Sequence, residues 1–226
     1  MKKNYEIKEI HENVFAVVVP DRYYRAMLFL RVQEFYESPN AQFRGKPFSI
    51  WKYMEWYSKQ KQNSFSYPSD WTGFNFPLSV ALKCYSYVRT SSESPYDEDM
   101  REILEHIEFT VNQRKNKRAY VIGVSGLESS TFHHEMCHAF YHIYPKYKKE
   151  VDAITESMKP VHYKKMCKNL KDMGYTEKVF KDEVQAYTCV DSDYYEFNHG
   201  VPAKPLEKYT KQYKDVYEKY KKESKG

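Results

Sequence analysis

The chain has 226 residues, the size of one domain or of one domain with a small lobe. Hydrophobic residues make up 41% and charged residues 30%, which excludes collagen-like, low-complexity and wholly disordered proteins. The formal net charge is only +5, and no helix-turn-helix, ribonucleoprotein or zinc-finger pattern is present, so we do not expect nucleic-acid binding.

The longest apolar run, Val14 to Val19, is far shorter than the roughly 20 residues that cross a bilayer, so we expect no transmembrane helix. Met1 to Glu12 is charged and lacks the apolar core of a secretory signal. We therefore expect a cytoplasmic protein. Its four cysteines are Cys84, Cys137, Cys167 and Cys189. They are far apart in sequence and form no CxxC pair, which predicts reduced, packed thiols rather than disulfides or a cysteine-rich zinc module.

The first 118 residues match no motif, but their pattern predicts a strand followed by helices. The strand is Val14 to Val19, and the predicted helices are 22–36, 48–58, 77–88 and one that runs from Asp97 to the basic cluster at 114–118. The segment 59–77 is rich in Ser, Asn, Pro and Gly, which predicts a long loop.

The second half begins with a strand, Ala119 to Val124, and continues as helices at 128–143, 146–158, 160–173 and 176–190. A Lys- and Tyr-rich tail helix follows at 204–224. These elements predict a predominantly helical α+β fold with a small sheet. We expect one domain over 1–203, with an N-terminal lobe of about 1–118 and the chemistry-bearing helices within 119–203, and a separate tail at 204–226.

The segment Thr131 to Phe140 contains the pattern H-E-x-x-H. His134 and His138 are four residues apart, so on a helix they lie on one face and can bind one metal ion through imidazole nitrogens. Glu135 can accept a proton from water activated by that metal without being a ligand itself. The bland alternative is that these histidines simply pack on a helix. His133 does not share a face with His138, which favours a solvent-facing or supporting role.

An H-E-x-x-H helix after a β-strand resembles the zincin metallopeptidase superfamily. The resemblance implies a zinc-dependent peptidase, with one Zn²⁺ per chain and a peptide or protein as substrate. It also implies that the preceding strand is the edge of the sheet, where extended substrate pairs with Tyr120, Ile122 and Val124.

A catalytic zinc needs a third protein ligand. His142 is about 12 Å of helical rise from His134, too far to share one ion. Glu156 points away from the apolar stripe of its own helix and is expected in solvent. Glu183 lies in the middle of an apolar stripe, and burying its charge without a partner would cost several kcal/mol, so a metal is the favoured partner. Asp182 is the weaker choice, and an ion pair with a basic core residue remains the alternative for Glu183.

The run Glu183-Val-Gln-Ala186-Tyr187 also resembles the E-x-x-A helix that supplies the glutamate ligand in gluzincins with long ligand spacing. Tyr187 stands where thermolysin-type gluzincins have the Asp that supports the first histidine, and Asp191 or Asp193 could take that role.

Peptide hydrolysis also needs a donor that stabilises the oxyanion. The candidates are Tyr175, Tyr187 and His199; the gluzincin resemblance favours Tyr175, and simple packing is the alternative for it. Cys137 faces away from the paired histidines and is expected in the core.

Two other classes of function stay open. One is a non-catalytic, zincin-like protein that keeps zinc for binding or structure, although a purely structural zinc has no need of Glu135. The other is an interaction module in which the Lys-rich face of the tail helix binds an acidic partner or surface; the alternative is that the apolar stripe of this helix simply docks on the body. The stripe consists of Leu206, Tyr209, Tyr213, Tyr217 and Tyr220.

Overall fold

A computed structural model describes residues 3–88, 94–190 and 204–223. Within these residues the chain is mostly helical and carries a small mixed sheet, as predicted for an α+β protein. The strands are β1 (Glu6–His11), β2 (Val14–Val18), β3 (Phe74–Pro77) and β4 (Tyr120–Val124). The helices are α1 (Arg22–Glu37), α2 (Ile50–Gln60), α3 (Tyr67–Asp70), α4 (Leu78–Ser86), α5 (Pro95–Asn112), α6 (Ser130–Ile143), α7 (Pro145–Ser157), α8 (Pro160–Asp172), α9 (Phe180–Val190) and α10 (Glu207–Glu223).

The chain divides into two compact units, Met1–Ser129 and Ser130–Gly226. The division falls after β4, whereas we expected one domain through residue 203 with a lobe boundary near residue 118. The strand β4 therefore belongs to the first unit, and the H-E-x-x-H helix α6 begins the second. The tail helix α10 is part of the second unit rather than a separate element.

The sheet of the first unit has the strand order β1-β2-β4-β3. The hairpin β1–β2 is antiparallel, and its tight turn places Asn13 in the left-handed region at φ 62°. β2 and β4 run parallel, with Val14 opposite Tyr120 and Val18 opposite Val124, whereas β3 joins β4 antiparallel. The residues of β4 are all buried, which fits a strand at the centre of a sheet.

The prediction that β4 is the edge of the sheet is wrong. Tyr120 and Ile122 each have a backbone neighbour on both sides, in β2 and in β3, and Val124 pairs with Val18 of β2. At Tyr120 and Ile122, the backbone positions to which the zincin resemblance assigned a substrate strand are therefore already occupied by the sheet itself. β4 lies between β2 and β3, and the edges of this sheet are β1 and β3.

The error comes from the segment 59–77, which we predicted to be a loop. It contains the short helix α3 and the strand β3, whose four residues Phe74–Pro77 pair with β4. A four-residue strand that ends in proline is too short for the alternation of Phe74, Asn75 and Phe76 to predict it. The charged strand β1 was missed as well, because its exposed edge position leaves few buried residues in the pattern.

The core of the first unit is aromatic and is centred on the buried helix α1. The Phe29 ring lies beside Phe74 and Phe76, with ring centroids 5.3 and 5.6 Å apart. On the same helix, Arg31 donates to both carboxylate oxygens of Asp97 at 2.6 and 2.8 Å, a bidentate ion pair with both side chains buried. These two buried charges are thus paired with defined geometry.

The second unit packs α9 against α6 and against the tail helix α10. The apolar stripe of the tail is buried, as expected for a docked tail; it comprises Leu206, just before α10, and four tyrosines of α10 (Tyr209, Tyr213, Tyr217 and Tyr220). Its hydroxyls are bonded: Tyr213 pairs with Thr155 Oγ1 at 2.8 Å, and Tyr220 donates to Glu150 at 2.9 Å. Across the described parts of both units, none of the helices combines the length and the apolar character needed to cross a membrane.

Candidate metal centre

The two histidines of the H-E-x-x-H pattern lie on one face of α6, as their spacing predicts. The Nε2 atoms of His134 and His138 are 3.1 Å apart, and their rings meet edge to face at a centroid distance of 4.9 Å. Both side chains are nearly buried, with 9% and 4% of their surface exposed. The opposite side of α6 carries the apolar residues that fix the helix in the core, among them Met136, Phe140 and Ile143.

Glu183 lies in the first turn of α9, which packs against α6. Its Oε2 atom is 3.9 Å from His134 Nε2 and 3.8 Å from His138 Nε2, and the side chain is only 5% exposed. The three donor atoms all lie within 4.8 Å of one another, which confirms that Glu183 converges with the two histidines.

These separations fit a single small cation. Ligands at the usual zinc distances of about 2.0–2.2 Å in a tetrahedron are roughly 3.3 Å apart, which falls between the 3.1 and 3.9 Å found here. Two imidazole nitrogens and one carboxylate oxygen are also a donor set that zinc accepts in catalytic sites, with a fourth position left for water or substrate.

Asp182 supports the second histidine rather than joining the donor set. Its Oδ1 atom accepts a hydrogen bond from His138 Nδ1 at 2.8 Å. A proton held on Nδ1 by Asp182 makes Nε2 the nitrogen that would bind a metal. Asp182, the weaker ligand candidate in the sequence, thus has a supporting role that the sequence analysis does not predict. The signal was present in the sequence, because Asp182 lies at the edge of the apolar stripe next to Glu183.

The negative charge around His138 changes its protonation. Burial lowers the pKa of its imidazole, but the carboxylates of Asp182, Glu183 and Glu135 outweigh burial and leave the pKa well above its usual value. The Glu135 carboxylate therefore lies close enough to act on this imidazole, and only 6% of its side chain is exposed. Without another cation, this pocket favours a proton on His138.

Two tyrosines lie beside the first histidine. The Tyr187 ring meets the His134 ring at a centroid distance of 4.5 Å, and the Tyr187 hydroxyl is 3.4 Å from that of Tyr175. Tyr175 is placed by the end of α8, where Gly174 at φ 98° reverses the chain and the Tyr175 amide donates to Leu170 O at 2.9 Å. Of the three candidate oxyanion donors, Tyr187 thus lies beside His134, and Tyr175 is joined to the site through Tyr187.

The other residues considered in the sequence lie outside the donor set. Glu156 forms an exposed ion pair with Lys181 at 2.7 Å, which confirms its expected place in solvent. His133 Nδ1 lies 2.9 Å from the Tyr217 hydroxyl and so serves the docking of α10. Cys137 is fully buried, and burial raises the pKa of its thiol well above the usual value, so it belongs to the core.

Among the residues that the structure describes, the converging donor set does not include His142. Asp191, Asp193 and His199, which we considered as a support for the first histidine and as an oxyanion donor, lie outside the described residues.

No protein-family model matches this chain, and neither a curated protein nor a solved structure matches it.

Proposed function

We propose that this protein is a zinc-dependent metallopeptidase with a zincin-like site, in which His134, His138 and Glu183 hold one zinc ion. The observation that carries the proposal is the convergence of these three buried donor atoms within 4.8 Å, supplied by two packed helices. Buried imidazole and carboxylate groups at this spacing are costly unless a cation or protons compensate them.

Zinc, when bound, polarises the substrate carbonyl and lowers the pKa of an attacking water toward neutrality. Glu135 accepts the proton of that water and delivers it to the leaving amine as the peptide bond breaks. Its place next to His134 and its burial suit a general base that works beside the donor set without belonging to it.

The hydroxyls of Tyr175 and Tyr187 supply the hydrogen-bond donors that the developing oxyanion needs. Tyr187 is fixed against His134 by its ring, and Tyr175 is fixed by the turn that ends α8. Single Tyr-to-Phe variants at the two positions assign the donor, since the variant that lowers turnover without changing zinc affinity marks it.

The proposal favours an enzyme over a protein that binds zinc for structure alone. A structural zinc site normally has four protein ligands, whereas the converging group found within the described residues contributes three. A carboxylate adjacent to such a three-ligand group has a use in hydrolysis, and Glu135 occupies that position.

The decisive variant is Glu135→Gln in the full chain. It should retain about one zinc per chain by metal analysis, because Glu135 is not a ligand. Its turnover should fall by roughly 10² to 10⁴, the range typical of general acid-base groups. The assay uses fluorescein-labelled casein together with a random-sequence peptide library read by mass spectrometry. Glu156→Gln is the matched control, because Glu156 is an exposed glutamate of the same unit that pairs with Lys181.

If cleavage survives Glu135→Gln unchanged, the peptidase activity does not come from this site. If the wild-type protein binds one zinc but cuts neither casein nor any library peptide, the non-catalytic zinc-binding function replaces the proposal. A His134→Ala variant should lose both zinc and activity.

A further inference from the structure

The hydrogen bond from His138 to Asp182 is the end of a longer chain of buried polar groups. Asp182 Oδ1 also accepts from Gln185 Nε2 at 3.1 Å, and Gln185 Oε1 accepts from the Tyr147 hydroxyl at 2.9 Å. The chain thus runs from the proposed zinc ligand on α6 through α9 to α7. Gln185 and Tyr147 are completely buried, so water does not compete for these bonds.

Each bond of this chain has only one possible direction. A carboxylate only accepts, so Gln185 must direct its NH₂ group to Asp182 and its carbonyl oxygen to Tyr147. Burial raises the pKa of Tyr147 well above its usual value, which keeps its hydroxyl protonated as a donor. At the other end, Asp182 draws the proton of His138 to Nδ1. The Tyr147 hydroxyl therefore fixes the orientation of Gln185, and Gln185 fixes Asp182.

Tyr147 is itself held by rings on two sides. Its ring meets Phe140 of α6 and Tyr220 of the tail helix α10 edge to face, at centroid distances of 5.6 and 5.2 Å. Tyr220 is anchored in turn by its hydrogen bond to Glu150. The docked tail helix α10 consequently limits the movement of the Tyr147 side chain, with which the chain of hydrogen bonds begins.

We propose that Tyr147 is a positioning residue for His138, acting through Gln185 and Asp182. Its hydroxyl keeps the imidazole in the orientation that presents Nε2 to the metal, although it touches neither metal nor substrate. The effect on zinc rests on the proposed function. The effect on the His138 imidazole does not, because the hydrogen bonds exist without a metal.

The test compares Tyr147→Phe with Tyr213→Phe in the full chain. Both variants remove one buried, hydrogen-bonded hydroxyl from the same unit and keep the ring, but Tyr213 bonds Thr155 and has no link to His138. In the metal-free protein, NMR of the imidazole N–H resonances measures how fast the Nδ1 proton of His138 exchanges with water. Zinc affinity is measured separately by competition with a chromophoric chelator.

Tyr147→Phe should speed the exchange of the His138 Nδ1 proton at least fivefold and weaken zinc binding roughly tenfold, the lower end of the effects seen when partners of metal ligands are removed. Tyr213→Phe should change either quantity less than twofold. Gln185→Met breaks the same chain of hydrogen bonds without altering Tyr147 and should reproduce both effects. If circular dichroism shows that Tyr147→Phe does not fold, the comparison of Gln185→Met with Tyr213→Phe decides the proposal.

Exchange in Tyr147→Phe that is no faster than in Tyr213→Phe overturns the proposal, whatever the zinc result. Conversely, a wild-type protein that does not bind zinc overturns the proposed function, while the exchange comparison still decides whether Tyr147 positions His138.

Discussion

Gly123, in β4, has no room for a side chain. A Cβ atom there would lie 2.4 Å from Cζ of Phe29 and 2.6 Å from its two Cε atoms. Non-bonded carbon atoms normally approach to about 3.5–4.0 Å, so the ring would have to move by about 1 Å. It has little space to do so, because Phe74 and Phe76 lie beside it and none of the three rings is more than 1% exposed.

Gly123→Ala should therefore cost about 3 kcal/mol of unfolding free energy, the upper end of the usual cost of overpacking. For a chain of this length that corresponds to a drop in Tm of roughly 6–12 °C. Gly126→Ala is the matched control, since a Cβ at Gly126 meets no atom within 4 Å, and it should stay within about 0.5 kcal/mol of the wild type.

The assay is urea unfolding followed by tryptophan fluorescence. All three tryptophans, Trp51, Trp56 and Trp71, lie in the first unit, so this signal reports on the unit that contains Gly123. The double variant Gly123→Ala with Phe29→Leu removes the distal ring atoms that collide with the new methyl group. It should be more stable than the sum of the single effects by at least about 1 kcal/mol. Additive effects, or a Gly123→Ala variant as stable as Gly126→Ala, would refute the close contact.

The remaining predictions concern two buried glutamates. Glu183→Ala should reduce zinc affinity at least about 100-fold while Glu156→Ala leaves it unchanged; full affinity in Glu183→Ala, measured by chelator competition, would remove Glu183 from the ligand set. Burial raises the pKa of the Glu34 carboxyl in the folded protein, although nearby hydroxyls act in the opposite direction. The stability that this carboxyl provides is therefore complete below its unfolded pKa of about 4.3, and it is lost as the pH rises through the higher pKa of the folded protein. The urea concentration at half-unfolding of the wild type should thus decrease as the pH rises above about 4.5, and that of Glu34→Gln should decrease less. Parallel pH profiles of the two proteins would contradict this prediction.

The candidate metal site was largely predictable because most of it depends on local geometry. The spacing of His134 and His138 fixes their shared face on any helix, and a carboxylate at position 183 within an apolar stripe predicts a buried partner. Only the packing of α6 against α9 could not be predicted from the local sequence. What the sequence could not show is the support of the site, since the bond between Tyr147 and Gln185 requires the packing of α7 against α9.

The sheet was harder to predict because its strand order depends on contacts between distant segments. β2 and β4 are recognisable from their apolar, β-branched residues, but the position of β4 is decided by β3, a four-residue strand that precedes it by more than forty residues. Such a strand is too short for its alternation to distinguish it from a loop. The resemblance to zincins implies that β4 is an edge strand, whereas in this protein β4 lies between β2 and β3.

The electrostatics of the second unit favour a metal site over a pair of histidines that merely pack in a core. Packed core histidines are normally neutral and need one acceptor each. Here the carboxylates of Glu135, Asp182 and Glu183 all act on His138, strongly enough to reverse the effect of its burial on the pKa. Three negative groups around two nearly buried imidazoles need positive charge, which protons on the histidines or one divalent cation can supply. The two Nε2 atoms, 3.1 Å apart, can share either one proton, as an N–H···N hydrogen bond, or one divalent cation. A cation would also bind Glu183 Oε2, which at 3.9 and 3.8 Å from the two nitrogens is beyond hydrogen-bond distance of both.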